Sequence, residues 1–462
     1  MIKYDLYYAT ENTFLKGSFL WMGTGLNELG LEEFEVLNKY IDEDGFLCYD
    51  VLPKEEPSEC PLCFNDNFVK NGTIERLIKD LPSFGRNVCI LVRGNRFICK
   101  DCNRTFVQSF DCVDDKGKLT KRLKEHVKQR SLSQTLQQIA TDYNLSISTV
   151  SKLSNEYVDS LEKSRVRYSP RVLGIDEAHL SKEMRGVFAD IERHGIIDMT
   201  ESRSRSMVEH YLNSLPDNDK IEIVTMDMWK PYKEAVNACL PRATVVVDRF
   251  HVIKAVLDNL DAKRKELFNK DKESVPVNVK RAKALLLKNF EDLNETDEED
   301  LAKIFVAFPI LEELYSDKEI LVSIYRCKTR HDAVNMYKAW LNGLSPYSKK
   351  VYGPTIKTFN NWNNEIFNYF DYKYTNGVTE SLNGVIKSIE KMGRGYSFKM
   401  IRARVLYGTS ATKKALKNKT KRKPVYHPGV STWTIITGDT EELIHGDYVD
   451  IDELRKVINN EQ

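Results

Sequence analysis

Between residues 171 and 251, the hydrophobic positions come in short runs that are separated by polar turns and helical patterns. Residues 206–212 have the period of an amphipathic helix, and a second helix is predicted to begin near Pro231. The apolar runs, of strand length, span residues 171–175, 187–191, 195–199, 221–226 and 244–247. The chain is therefore predicted to form three strands in a meander and then two strand–helix units, the element order of a ribonuclease-H-like α/β fold.

Two of these runs end in an aspartate, Asp176 after the first and Asp227 after the fourth. This element order places the first and fourth strands side by side, so we expect both carboxylates at one edge of the sheet. Neighbouring carboxylates repel each other unless one takes up a proton or a divalent cation lies between them. Hard oxygen ligands suit Mg²⁺ or Mn²⁺. The alternative, in which each aspartate only caps the next helix, does not explain two of them on neighbouring strands.

A third carboxylate, Glu380, lies on a helix that is predicted to start at residue 378 with Thr379 as its cap. Asn383 and Lys387 recur with Glu380 at helical spacing, so one helix face offers a carboxylate, an amide and an ammonium group. Those groups are what a metal and phosphate site needs. Glu380 thus completes a predicted site for two Mg²⁺ ions that promotes phosphodiester chemistry. The roughly 130 residues between Asp248 and Glu380 have helical periodicity and predict an all-α insertion.

Four cysteines form two Cys-x-x-Cys pairs, Cys60 with Cys63 and Cys99 with Cys102, with 35 residues between the pairs. Two such pairs direct four thiolates at one centre, which is the tetrahedral set that Zn²⁺ favours. A β-hairpin formed by residues 90–92 and 96–98 is predicted to lead into the second pair, as in a zinc ribbon. Four thiolates leave no open position, so the Zn²⁺ would be structural. The alternatives are buried free cysteines and a redox pair, although no βαβ pattern surrounds either pair.

Residues 133–157 have the pattern of two helices joined by a tight turn. Apolar residues share one face of the first helix, Asn144-Leu145 forms the turn, and Ser146 caps the second helix. This is the helix-turn-helix pattern, in which the second helix reads the major groove of DNA, although any short helical hairpin can produce it. The predicted contacts with bases or phosphates are Ser148, Thr149, Ser151 and Lys152.

The net charge of +1 hides charges that are sorted along the chain. Residues 1–59 have 4 basic and 13 acidic side chains, whereas residues 86–130 have 12 basic and 5 acidic ones. Residues 413–423 have 7 basic and no acidic side chains. Such blocks indicate contacts with a polyanion, with solvated helix faces as the alternative. The predicted phosphate contacts are Lys121, Arg122, Lys124, Lys128 and Arg130.

The composition of the 462 residues, 41% hydrophobic and 30% charged, predicts about three domains with a sizeable core. No apolar stretch reaches membrane-spanning length and no secretory signal is visible, so we expect a cytoplasmic protein without a membrane partner. The five cysteines outside the two pairs are predicted to be reduced core or surface residues: Cys48, Cys89, Cys112, Cys239 and Cys327.

These patterns together predict a multidomain α+β protein. The predicted divisions are an acidic segment (1–59), a zinc ribbon (60–115), a helix-turn-helix domain (120–165), the first part of a ribonuclease-H-like core (170–254), an all-α insertion (255–370), the final catalytic helix of the core (371–410) and a basic then acidic tail (411–462).

The strings at the predicted catalytic positions resemble the DDE transposases of the IS-L-three family of bacterial insertion sequences. The resemblance covers most of the chain and rests on Gly174-Ile175-Asp176-Glu177, on Asp227-Met228-Trp229 with Pro231-Tyr232, on Asp248-Arg249-Phe250-His251-Val252, and on Thr375-Asn376-Gly377 with Glu380, Asn383 and Ile386-Lys387. It implies that Asp176, Asp227 and Glu380 are a catalytic triad with two Mg²⁺ ions. It further implies sequence-specific binding to the terminal inverted repeats of an insertion sequence, and we therefore expect the protein at the bacterial nucleoid. Holding the DNA ends and target together makes their joining intramolecular, which favours assembly on DNA as a homodimer or larger complex.

The resemblance also places Asp248 and His251 beside the triad as an Asp-x-x-His element. The pair either clamps the start of the insertion or contacts the scissile phosphate or the water, with the carboxylate orienting the ring. Two other functions remain open: a DNA-binding regulator that has lost catalysis, and a ribonuclease-H-like nuclease that cuts without joining.

Overall fold

The structure, a computed structural model, describes residues 29–114, 117–393 and 395–408. The basic block at 413–423 and the acidic tail lie outside these residues. The chain divides into two compact units between Tyr157 and Val158, within one continuous helix. No helix in the described ranges is long and apolar enough to cross a membrane.

A five-stranded sheet dominates the first unit. Its strands are β1 (Phe34–Ile41), β2 (Leu47–Pro53), β3 (Phe68–Ser83), β4 (Arg86–Cys99) and β5 (Thr105–Val107), in the order β1-β2-β4-β3 with β5 on the end of β4. The predicted short hairpin at residues 90–98 is wrong, because β4 continues through Gly94, which pairs with Ile74 of β3. The hairpin turn lies instead between β3 and β4, and an interior glycine in a strand explains the error.

The cysteine prediction also needs one correction. Cys48 and Cys89 are register partners on the adjacent strands β2 and β4, and their sulfurs form a disulfide. They have no sequence spacing that would reveal this, because the pairing of the two strands alone brings them together. Cys112, Cys239 and Cys327 are free, as predicted.

Three helices complete the first unit, α1 (Lys121–Arg130), α2 (Leu136–Asp142) and α3 (Ile147–Ser164), the last of which runs on into the second unit. Asn144 takes the left-handed conformation at φ 46° and ends α2, as the predicted turn requires. The Ser146 hydroxyl accepts a hydrogen bond from the Thr149 amide at 3.2 Å and so caps α3. A small apolar core joins the helices and includes Leu123, Val127, Ile139, Val150 and Leu153.

The second unit contains a mixed sheet of β6 (Val172–Leu180), β7 (Glu183–Asp190), β8 (Gly195–Thr200), β9 (Ile223–Met226) and β10 (Thr244–Val247). The strand order is β8-β7-β6-β9-β10, with β6 parallel to β9 and antiparallel to β7. The predicted neighbourhood of the first and fourth strands is confirmed. The prediction that Asp176 ends its strand is wrong: Ala178 and Leu180 continue the inward alternation of β6 and pack in a buried cluster.

Helices connect the strands of this sheet and make up the chain after β10. The helices α4 (Arg205–Asn213) and α5 (Lys230–Cys239) connect strands. The region after β10 consists of α6 (Arg249–Lys270), α7 (Val279–Leu287), α8 (Glu295–Ala307), α9 (Pro309–Ser323), α10 (Arg330–Gly343), α11 (Pro346–Val351), α12 (Gly353–Asn361) and α13 (Asn363–Tyr372). Residues 248–376, all described, contain no strand. Since α6 runs from Arg249 to Lys270, residue 255 lies inside a helix and no element ends there.

The chain then returns to the sheet through α14 (Gly377–Met392), followed by α15 (Phe398–Ala403) and a π-helical turn (Arg404–Gly408). The buried face of α14 presents Ile386 and Ile389 to the inward residues of β6. Helix α14 begins one residue earlier than predicted, with Asn376 rather than Thr379 at its N-cap.

Candidate active site and zinc centre

Strand register brings three aspartates of the second unit to one edge of the sheet. Met226 of β9 pairs with Ile175 of β6 on one side and with Val247 of β10 on the other. The next residue along the chain is an aspartate in all three cases: Asp176 lies within β6, whereas Asp227 and Asp248 directly follow β9 and β10. Parallel strands in register therefore place the three carboxylates at the same level of the sheet.

The first turn of α6 brings His251 to these carboxylates. Asp248 is 2% exposed and caps α6, its Oδ1 accepting a hydrogen bond from the Phe250 amide at 3.3 Å. This cap sets the start of the helix, so that His251 Nε2 lies 3.1 Å from Asp227 Oδ1 and 3.8 Å from Glu380 Oε1. Ligand atoms of Asp227, Asp248 and His251 all lie within 4.8 Å of one another.

Buried contacts at the start of α14 position Glu380. Asn376 is fully buried and its Oδ1 accepts hydrogen bonds from Thr379 Oγ1 at 2.8 Å and from Thr225 Oγ1 of β9 at 3.3 Å. Helix α14 and strand β6 approach each other closely here, since only a glycine fits at position 174: a Cβ on Gly174 would lie 2.7 Å from Thr379 Oγ1. Asn376, Thr379 and Gly174 were not predicted as site residues. Only the strings that carry the family resemblance contain a signal for Asn376 and Gly174.

Asn383, one turn beyond Glu380, contacts β6 directly. Its Nδ2 donates hydrogen bonds to Asp176 Oδ2 at 2.8 Å and to the Glu177 carbonyl at 3.3 Å. Lys387 follows one turn later and is exposed. The helix face predicted from the sequence thus brings Asn383 to Asp176, and Glu380 to His251.

The buried carboxylates are electrostatically unfavourable as they stand. Burial, and then the charge of Asp227, raises the pKa of Asp176 to about 7. Burial followed by the carboxylates of Asp248, Glu177 and Glu380 raises the pKa of Asp227 to about 7. The pKa values of Asp248 and Glu380 are also raised, mainly by burial. The site therefore needs positive charge to keep its carboxylates ionised at neutral pH.

The oxygen atoms of the site fit a hard divalent cation. Asp227 Oδ1 and Asn383 Oδ1 are buried, and neither makes a hydrogen bond among the described residues. His251 Nε2 lies 3.1 Å from Asp227 Oδ1 but without hydrogen-bond geometry. Buried oxygens without partners are costly, and a bound cation would satisfy them. The donor set of carboxylate and amide oxygens is the set that Mg²⁺ and Mn²⁺ prefer.

The first unit contains the second candidate metal centre. The Sγ atoms of Cys60, Cys63, Cys99 and Cys102 lie within 4.8 Å of one another, with 3.9 Å between Cys60 and Cys102 and 3.5 Å between Cys63 and Cys99. A tetrahedral Zn–S distance of about 2.3 Å requires sulfur separations of about 3.8 Å, so the four thiols have the spacing of a zinc site. Each pair is followed by a left-handed residue, Phe64 or Asn103, that closes its turn.

The predicted DNA contacts differ in how free they are. Lys121, Arg130, Ser148 and Lys152 are exposed, and Lys128, Thr149 and Ser151 are partly exposed. Arg122 instead pairs with buried Asp80, to which its Nε donates at 2.8 Å. Lys124 forms an ion pair with Asp114. The sequence showed the charges of Arg122 and Lys124 but not their partners.

Comparisons with known proteins agree with the resemblance seen in the sequence. A family model described as "Transposase" matches residues 173–405, half of the chain, from β6 into the π-helical turn. A second model, described as the zinc-finger of transposase IS204/IS1001/IS1096/IS1165, matches residues 56–102.

The transposase for insertion sequence element IS1001 of Bordetella parapertussis is 22% identical over 392 residues, which cover 81% of this chain and 92% of that protein. The zinc-finger match supports a structural Zn²⁺ at the four cysteines. From the extent of the transposase match, the chain belongs to the IS-L-three family of DDE transposases.

Proposed function

We propose that this transposase binds the terminal inverted repeats of its insertion sequence and catalyses metal-dependent DNA cleavage and strand transfer. In this proposal the second unit is a ribonuclease-H-like core, and Asp176, Asp227 and Glu380 are its catalytic triad. The observation that carries the proposal is the strand register, which places Asp176 and Asp227 side by side at one edge of the sheet. The buried Asp227 Oδ1 there makes no hydrogen bond among the described residues.

Each residue of the site has a distinct role in this proposal. Asp176, Asp227 and Glu380 would hold two Mg²⁺ ions, which supply activation of the attacking oxygen and stabilisation of the leaving one. Asn383 fixes the orientation of Asp176 through its hydrogen bond. His251 lies beside both Asp227 and Glu380, which favours a contact with the scissile phosphate or the water over a clamp with Asp248. Asp248 instead caps α6 and holds His251 in place.

The reaction has two steps on DNA. Water attacks the phosphodiester at the end of the element and releases a 3′-hydroxyl, which then attacks a phosphodiester of the target. Both steps exchange one phosphorus–oxygen bond for another, so they need no covalent protein intermediate. Holding the DNA ends and target together makes the second step effectively intramolecular, which favours a homodimer or larger complex on DNA.

The DNA-binding role belongs to the first unit. Helix α3 of the proposed helix-turn-helix begins at Ile147, and its first turns contain the exposed Ser148 and Lys152, at the end that would read a major groove. Lys121, Lys128 and Arg130 of α1 remain as proposed phosphate contacts. We assign Arg122 and Lys124 to the stability of the unit, because acidic residues already pair with them. Binding to chromosomal DNA would place the protein at the nucleoid.

One assay tests the proposal. The full chain is incubated with duplexes of the inverted repeats that flank its gene, with and without Mg²⁺, and then with an oligonucleotide that ends in a free 3′-hydroxyl and a target duplex. We expect Mg²⁺-dependent cleavage at the element end and joined products. Binding without cleavage would indicate the regulator instead, and cleavage without joining would indicate a nuclease.

A further inference from the structure

The loop after β9 exposes a tryptophan beside the carboxylates. Trp229 follows Asp227 by two residues, is 38% exposed, and is held by a hydrogen bond from its own amide to the Asp227 carbonyl at 2.7 Å. Three residues later, Tyr232 is fully buried, so the helix has an apolar core position that Trp229 does not use. A large aromatic side chain is thus kept partly in solvent next to the proposed catalytic site.

Trp229 also occupies a position for which tryptophan is poorly suited. It is the N-cap of α5, and its side chain accepts no hydrogen bond from the helix. Serine, threonine, aspartate or asparagine at an N-cap stabilises a helix by about 1 kcal/mol relative to residues without an acceptor. Helix capping therefore does not explain the indole at this position.

An arginine covers one face of the indole and ties it to the catalytic strand. The guanidinium carbon of Arg203 lies 4.4 Å from the centre of the Trp229 ring. Arg203 Nη1 is also 2.6 Å from Glu177 Oε1, and Glu177 follows Asp176 on β6. Trp229 is thus fixed through its backbone to the strand of Asp227 and through Arg203 to the strand of Asp176.

We infer that Trp229, supported by Arg203 and Glu177, is a stacking platform for one unpaired base next to the scissile phosphate. The inference rests on the proposed function and adds a positioning residue to it. Asp176 is only 6% exposed, so a duplex phosphate must approach a recessed site. Distorting the duplex to reach it would unstack a base, and a partly exposed ring such as that of Trp229 can stack on that base.

The test compares Trp229→Leu with Trp229→Phe in the full chain, using element-end duplexes in which one nucleotide at a time around the cleavage site is abasic. On the intact duplex, Trp229→Leu should slow cleavage by about 5- to 150-fold, the rate equivalent of one base–aromatic stack, whereas Trp229→Phe should keep most of the rate. Phe290→Leu is the control, since Phe290 is 57% exposed in the helical region.

The abasic scan separates stacking from a structural role. At one nucleotide position, loss of the base should slow the wild type to the rate of Trp229→Leu and should not slow that variant further. A stability defect would instead lower cleavage of every duplex by the same factor. The inference is overturned if the ratio of wild-type to Trp229→Leu rates is equal at all positions. It is also overturned if the position-dependent loss appears instead in Phe250→Leu, which changes the exposed aromatic residue that precedes His251. If the wild type cleaves no duplex, the proposed function itself fails.

Discussion

The two candidate metal centres are built in opposite ways. The zinc centre uses two cysteine pairs, each closed by a turn of a few residues, so short segments of chain aim its soft ligands. The carboxylate site uses single residues from β6, from the residue after β9 and from α14, which lie up to 204 residues apart. Turn geometry determines the first centre, and strand register with helix placement determines the second. A local motif can be recognised by spacing alone, whereas a site made of single residues needs the topology.

Removal of one carboxylate should have the largest effect. Asp176→Ala, Asp227→Ala and Glu380→Ala should each reduce cleavage and joining to below about a thousandth of the wild-type rate, because the remaining ligands cannot hold both cations. Binding to end-DNA should stay nearly intact, which gel-shift titration measures. Glu291→Ala, a change at an exposed carboxylate that pairs with Arg326, is the control. Near-normal turnover in any of the three variants would remove that residue from the triad.

Loss of zinc should have the opposite signature. Cys99→Ser should lower the zinc content from one ion per chain to almost none, because the tetrahedral set loses a ligand, and should remove most of the end-DNA affinity. Elemental analysis and binding titration measure both effects. Cys112→Ser changes a free cysteine outside the set and should keep the full zinc content. A zinc-free wild type would contradict the ribbon without affecting the carboxylate site.

A substitution of His251 tests its role beside the carboxylates. His251→Ala should lower the cleavage rate by roughly tenfold to a hundredfold with folding preserved, because its ring faces Asp227 and Glu380. Single-turnover cleavage and thermal melting give the two readouts. His179→Ala on the exposed side of β6 serves as the matched control. Unfolding of His251→Ala would favour the clamp, and normal cleavage with normal stability would exclude both roles.

Charges in the first unit should separate into DNA contacts and structural pairs. Arg130→Ala should weaken end-DNA binding a few-fold and lower the slope of log affinity against log salt by about 1, because one phosphate contact is lost. Arg122→Ala should leave that slope unchanged and lower the melting temperature, since it strands Asp80, which is 4% exposed. A change of slope in Arg122→Ala would return Arg122 to the DNA contacts.

The buried carboxylates should also make the stability of the metal-free chain depend on pH. Asp176 and Asp227 have a pKa of about 7 in the folded chain, above the usual value of about 3.9, so the folded state binds more protons between pH 4 and pH 7. The free energy of unfolding should therefore contain a contribution that falls as pH rises through this window. Melting curves measured between pH 4 and pH 7 should show this pH dependence in the wild type and not in the double variant Asp176→Asn/Asp227→Asn. Addition of Mg²⁺ at pH 7.5 should raise the melting temperature of the wild type. Identical pH profiles would contradict the buried-carboxylate account.

Much of the second unit was predictable because its signals are local. Buried apolar runs marked four of the five strands to within four residues at either end, and they implied the neighbourhood of β6 and β9. The exception at β6 is instructive: a polar Asp176 interrupts the apolar run, although the alternation resumes with Ala178 and Leu180. The missed hairpin at β3 and β4 has a similar cause, since a glycine resembles a turn until its strand partner is known.

The sequence alone predicted the metal-binding chemistry of the chain and most of the elements that present it, and it indicated the family to which the chain belongs. It did so because cysteine spacing, apolar periodicity and short motifs are properties of neighbouring residues. The partners of individual side chains follow from the tertiary fold: Asn383 with Asp176, Arg122 with Asp80, Arg203 with Trp229, and Cys48 with Cys89. These pairs join residues that are 26 to 207 positions apart. Their contacts depend on strand register and helix packing, which no local pattern specifies.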